Sequence, residues 1–162
     1  MQAKDDPQHF DPHAGGYRLA DRNALLRRWD ASIPSSDKTV WRDSAVAEAY
    51  VRLTLESDPT SSRRKPPSVR IPIGYLRDTC DLSLGRLLFD AARIRVPTLI
   101  IRGELDFWSR PADLDALRRD LTNAPSVRTV TIPGGTHSLF LDRPDHGRAQ
   151  LISELITFLK EQ

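Results

Sequence analysis

A single cysteine, Cys80, stands in 162 residues. One thiol cannot close an intrachain disulfide, which excludes a cysteine-stapled scaffold and makes a reducing compartment the expected setting. No apolar stretch approaches the roughly 18 residues that a membrane span requires, so no membrane partner is expected. The N-terminus, MQAKDDPQHFDPHAGGYR, lacks the apolar core of a secretory signal, and the expected location is cytoplasmic. Charge imbalance is missing as well. The formal net charge is +2, and basic and acidic residues number 15 and 13 through Arg93 and 9 and 9 beyond it. Neither part carries the footprint of a nucleic-acid binder. With 39% hydrophobic and 28% charged residues, the composition suits a soluble globular chain of one modest domain.

What is present falls into three stretches. Residues 1–16 are polar and interrupted by Pro7, Pro12, Gly15 and Gly16, which predicts an irregular segment. Residues 17–93 read as helical. In YRLADRNALLRRWDASIP, Leu19, Leu25, Leu26 and Trp29 share a helical stripe that Pro34 stops. In DSAVAEAYVRLTLES the stripe is Val46, Ala49, Tyr50 and Leu53, with Asp43 or Ser44 placed to cap the first turn. A Pro-, Ser- and Arg-rich break follows at residues 58–72, and its basic run Arg63-Arg64-Lys65, with no aromatic residues interleaved, reads as a solvated linker. GYLRDTCDLSLGRLLFDAARI offers Leu82, Leu87 and Leu88 as buried positions of a third helical region.

Beyond residue 94 the pattern changes. VPTLIIRG is a continuous apolar run of strand length, as expected of a strand covered on both faces of a parallel sheet. A helical pattern with Leu114, Leu117 and Leu121 starts at Pro111. VRTVTIP is a second strand. The last segment carries Leu151, Ile152, Leu155, Ile156 and Leu159 on one helical face. Strand, helix, strand, helix predicts an α/β unit with a right-handed parallel crossover.

Two residues in this unit carry chemistry. Asp106 follows Gly103 at the carboxyl end of the first strand, where open α/β sheets place ligands and catalytic groups. His137 follows Gly134-Gly135 at the end of the second strand. Parallel strands point their carboxyl ends the same way, so the two side chains are expected to meet. A carboxylate on one ring nitrogen fixes the tautomer and leaves the other nitrogen as a base.

IRVPTLIIRGELDFWSRP and IPGGTHSLFLDRP, closed by an amphipathic helix, resemble the C-terminal part of an α/β-hydrolase of the serine esterase, lipase and peptidase superfamily. The resemblance covers residues 94–162. It implies that Asp106 is the triad acid and His137 the triad base, with Asp142 and Pro144 matching an acidic residue and a proline that follow. It implies that residues 17–93 correspond to a helical lid, hence a partial α/β-hydrolase fold. Thr136 departs from the family pattern, where a Gly often precedes the His.

The family's nucleophile sits in Gly-x-Ser-x-Gly on a strand-to-helix turn, and this chain contains no such pentapeptide. The nearest stretch is DLSLG, with Ser83 at its centre, Asp81 in place of the first Gly and no apolar strand before it. Cys80 lies in the same polar context. The oxyanion donors that the family builds around the nucleophile are missing with it. The expectation is therefore a truncated or split hydrolase that acts on a small-molecule substrate only when another chain brings the nucleophile. Two other readings stay open. One is a non-catalytic α/β module that uses its lid-like helices to bind a small molecule, a partner chain or a second copy. The other is an autonomous hydrolase using Ser83 or Cys80. Trp108, beside Asp106, is placed to line a substrate pocket or to pack on the next helix. His9, Asp11 and His13 alternate as possible metal ligands, but zinc needs three or four firmly held donors and this segment is interrupted by proline. No metal or cofactor is expected.

Overall fold

Short apolar runs and two helical periods set the architecture, which is mixed α/β. The computed structural model of the chain describes residues 10–161. In chain order the elements are strand β1 (Tyr17–Ala20), helix α1 (Arg22–Ser32), helix α2 (Ser44–Glu56), strand β2 (Val69–Pro72), helix α3 (Gly74–Ser83), strand β3 (Thr98–Gly103), helix α4 (Pro111–Asp120), strand β4 (Val127–Ile132) and helix α5 (Arg148–Lys160). No helix among the described residues is long and apolar enough to cross a membrane. The chain divides into two units. One holds the N-terminal residues through Leu25 together with Arg52–Asp90, and the other holds Leu26–Val51 and the chain from Ala91 onward. The boundaries expected at residues 16/17 and 93/94 do not coincide with this division, because Leu26–Val51 groups with the C-terminal elements.

The first unit contains a sheet that the sequence hides. β1 and β2 pair antiparallel, from Tyr17 opposite Pro72 to Ala20 opposite Val69. The helix expected from residue 17 thus begins only at Arg22, and Leu19 lies on a strand and is exposed. Asp21 caps the helix by accepting from the Ala24 amide at 2.9 Å. Of the basic run, Arg63 and Lys65 are exposed as expected of a solvated linker, but Arg64 is half-buried and bonded. Asp58 is buried and gathers the Arg64 guanidinium at 3.0 Å, the Thr60 hydroxyl at 2.7 Å, and Arg70 through its amide at 3.1 Å and its guanidinium at 2.9 Å. Arg64 also reaches the Ser68 carbonyl. These bonds fold the Pro- and Ser-rich segment around one carboxylate and deliver Val69–Pro72 to its partner strand. α3 buries Cys80, while Leu82, Leu87 and Leu88 are exposed, contrary to the burial read from their spacing. Periodicity marks an apolar face, but only a neighbouring element can cover it.

The second unit contains the parallel pair. β3 and β4 run in register from Thr98 opposite Val127 to Gly103 opposite Ile132. The connection is α4, started by Pro111 and capped in its first turn by Asp113, whose carboxylate accepts from the Arg110 amide at 2.9 Å. Buried apolar residues of this unit include Leu26, Trp29, Ile33, Ala47, Val51, Leu121, Ile132 and Leu139. Asp43 caps α2 as expected, accepting from the Ala45 amide at 2.9 Å. The buried positions of α2 are Ala47 and Val51, and Leu53 is exposed. β3 was expected to be covered on both faces, yet Thr98–Ile101 are only half-buried and the sheet has two strands. On α5, Ile152, Leu155, Ile156 and Leu159 are all exposed.

The Asp58 cluster makes the first unit sensitive to acid. Its hydrogen bond from Arg70, against the opposing cost of burial, holds the Asp58 carboxyl far below the usual carboxylate range. A depressed folded pKa contributes stability that is complete above the unfolded value, about 4, and is lost as the pH falls below it. Urea unfolding of Asp58→Asn against the parent protein is expected to show its full deficit at pH 6–7. The deficit should shrink progressively below pH 4. An equal deficit at pH 6 and pH 2 would contradict this account of the segment.

Candidate functional site

The ladder between β3 and β4 does not stop where the strands stop. The Glu104 amide donates to the Ile132 carbonyl at 2.9 Å, and the Leu105 amide donates to the Gly135 carbonyl at 2.9 Å. The Glu104 carboxylate accepts from the Gly134 amide at 2.9 Å. The loops leaving the two strands are thereby zipped to each other. Gly103 makes the close approach possible, since a Cβ there would overlap the backbone of Gly135 and Thr136. Gly134 turns the chain with φ +66°, in the left-handed region that L side chains rarely adopt.

Asp106 sits in the first loop with its carboxylate buried. One oxygen, Oδ1, accepts from the Trp108 amide at 2.8 Å, from the Ser109 amide at 3.1 Å, and meets His137 Nδ1 at 3.0 Å. Burial alone raises the pKa of a carboxyl. Here the Ser109 amide, His137 and the Trp108 amide outweigh it, and the Asp106 pKa lies below the usual carboxylate range. An ionised carboxylate only accepts, so His137 Nδ1 carries a proton, and in the neutral imidazole Nε2 keeps its lone pair. The imidazole remains about one-third exposed, which leaves Nε2 within reach of solvent or substrate.

The Asp106 loop is braced from within. Arg102, buried on β3, donates to the carbonyls of Ser109 at 2.8 Å, Glu104 at 3.3 Å and Asp106 at 3.0 Å. One fixed guanidinium fork spans the turn that carries the carboxylate. The His137 loop is held by Leu26–Val51. Trp41 Nε1 donates to the Gly134 carbonyl at 2.7 Å, and Trp29 Nε1 donates to Asp142 Oδ1 at 2.7 Å. The Arg143 amide bonds the Trp41 carbonyl at 2.7 Å, and its guanidinium bonds the Thr39 carbonyl at 2.8 Å.

Trp108 stands beside the pair. Its ring centroid is 6.2 Å from that of His137, the Arg28 guanidinium lies 4.2 Å above its ring, and the indole is half exposed. Phe107 adds a second exposed ring, 5.7 Å from Trp108. Ser83 belongs to the other unit. It ends α3, at the far end of the helix from the turn that follows β2, and its hydroxyl donates to the Cys80 carbonyl at 2.8 Å. Cys80 is buried. His9 lies outside the described residues. Asp11 accepts from the His13 amide at 2.8 Å, and no group of three or more His, Cys, Asp or Glu side chains suited to a metal occurs among the described residues.

Arg102, Trp29, Trp41 and Thr136 escaped sequence reading as parts of the site. Arg102 had a signal, a charged side chain inside an apolar strand. The two tryptophans had none, because their partners lie 113 and 93 positions away. No protein-family model, curated protein or solved structure matches the chain.

The Gly103 contact is testable by urea unfolding. Gly103→Ala is expected to cost roughly 1–3 kcal/mol, as overpacking against backbone does. Gly16→Ala, where a Cβ meets open space, should stay within about 0.5 kcal/mol of the parent. Equal stabilities for the two variants would show that the strand-end loops are not packed this tightly.

Proposed function

We propose that the second unit is the acid–base part of a hydrolase of the Ser-His-Asp type, related in architecture to the C-terminal portion of an α/β-hydrolase. One observation carries the reading. Asp106 and His137 meet at 3.0 Å at the same end of two parallel strands, with the carboxylate buried and the imidazole partly exposed. The nucleophile lies outside residues 1–162, on another segment or another chain. When its hydroxyl oxygen bonds to the acyl carbon of a small ester or amide, His137 Nε2 takes the hydroxyl proton. Asp106 stabilises the imidazolium, and His137 then passes the proton to the leaving group. Trp108 and Phe107 offer an apolar surface beside the imidazole for the substrate.

Ser83 and Cys80 are poor nucleophiles here. The Ser83 hydroxyl is spent on a carbonyl at a helix end, and the Cys80 thiol is buried away from solvent. The exposed face of α5 favours a second reading, a non-catalytic module docking on a partner chain or another copy through Ile152, Leu155, Ile156 and Leu159.

The purified chain is expected to take up no fluorophosphonate and to hydrolyse p-nitrophenyl esters no faster than its His137→Ala variant. In the complex recovered with its partner chain, His137→Ala or Asp106→Asn should lower ester turnover by about three to four orders of magnitude. Turnover by the complex that is indifferent to both substitutions would leave the docking reading. Fluorophosphonate labelling of Ser83, or iodoacetamide inactivation through Cys80, would restore an autonomous enzyme.

A further inference from the structure

Asp142 is fully buried, and the proton transfers above give it no task. A carboxylate in that position must satisfy its lone pairs within the protein. Trp29 Nε1–H donates to Oδ1 at 2.7 Å, the Thr136 hydroxyl donates to Oδ1 at 2.8 Å, and the Thr136 amide donates to Oδ2 at 2.8 Å. The Thr136 hydroxyl oxygen in turn accepts from the Ser138 amide at 3.0 Å. The residues on both sides of His137 are thus tied, directly or through one hydroxyl, to the same carboxylate.

We infer that Asp142 is a positioning residue for His137, fixing the backbone of residues 136–138 so that Nδ1 points at Asp106, with Trp29 as its anchor in α1. The inference rests on the reading of Asp106 and His137 as an acid–base pair. The reason lies in the tolerance of that pair. A hydrogen bond of 3.0 Å is lost when the imidazole moves by about 0.5–1 Å or turns away from the carboxylate. A partly exposed histidine after a Gly-Gly turn, with the Trp108 ring tilted beside it at 6.2 Å, needs a further restraint to be held that closely. Asp142 supplies the restraint from the buried side, where water does not compete. Thr136 is the link, and its β-branched side chain has few rotamers to lose. The residue that departs from the expected glycine is therefore the one that carries the restraint. A purely space-filling role would need neither a carboxylate nor three convergent donors. A buried charge is expensive unless its partners are all in place.

The experiment reads the pair itself, not turnover. The signals are the far-downfield proton of His137 Nδ1–H bound to a carboxylate, and the pH titration of the Asp106 carboxyl carbon by NMR. Asp142→Asn keeps the shape but turns one acceptor into a donor facing donors. Thr136→Val removes the hydroxyl, and Thr136→Ser retains it. Asp142→Asn and Thr136→Val are expected to lose the downfield proton and to raise the Asp106 midpoint toward the ordinary carboxyl value. Thr136→Ser should retain both parental signals. Should Asp142→Asn fail to fold, Thr136→Val and Trp29→Phe carry the same two readouts. Folded variants with lowered melting temperature but an unchanged downfield proton and Asp106 midpoint would overturn the inference and leave Asp142 a stabilising residue only. Loss of the proton in a chain that never shows hydrolase activity would uphold the inference while the functional reading fell.

Discussion

The parallel register of β3 and β4 decides where everything else in the second unit can go. Gly103 lies opposite Ile132 at the last rung, so both loops leave from one end of the sheet. The backbone bonds of Glu104 and Leu105 extend the ladder past the strands, and the absent Cβ of Gly103 lets the loops touch. An antiparallel pairing of the same two strands would send Asp106 and His137 to opposite ends.

Around that register the unit distributes three buried charged side chains. Arg102 is bonded to carbonyls, Asp106 to two amides and an imidazole, and Asp142 to an indole, an amide and a hydroxyl. Each serves a loop, not a strand. Arg102 shapes the Asp106 turn, and Asp142 shapes the turn before and after His137. Charges in such places cost more than apolar residues of similar size unless fully bonded, and here they are bonded to the segments that bring acid and base together. The imidazole is partly exposed where these three side chains are buried.

The strands and the pair were legible in the sequence because each depends on local pattern. TLIIRG and VRTVTI are six-residue runs, and Asp106 and His137 follow them within a few positions. β1 was not legible. Four residues, YRLA, are too short to separate a strand from a helical turn, and their partner lies beyond a Pro- and Ser-rich break that reads as linker. Arg64 looked solvated because its partner, Asp58, is recognisable only once the segment has folded back. The exposure of Leu82, Leu87 and the α5 stripe was not legible either, since periodicity marks a face without naming what covers it. The grouping of Leu26–Val51 with the C-terminal unit rests on contacts as distant as Trp29 with Asp142, 113 positions apart.

The central claim is that a carboxylate fixes the proton of one ring nitrogen and frees the other. Nitrogen-15 chemical shifts of the His137 ring, measured at neutral pH, test it most directly. The account predicts a protonated Nδ1 and a lone-pair Nε2. An Nε2-protonated tautomer, or a fast-exchanging mixture of the two, would contradict it.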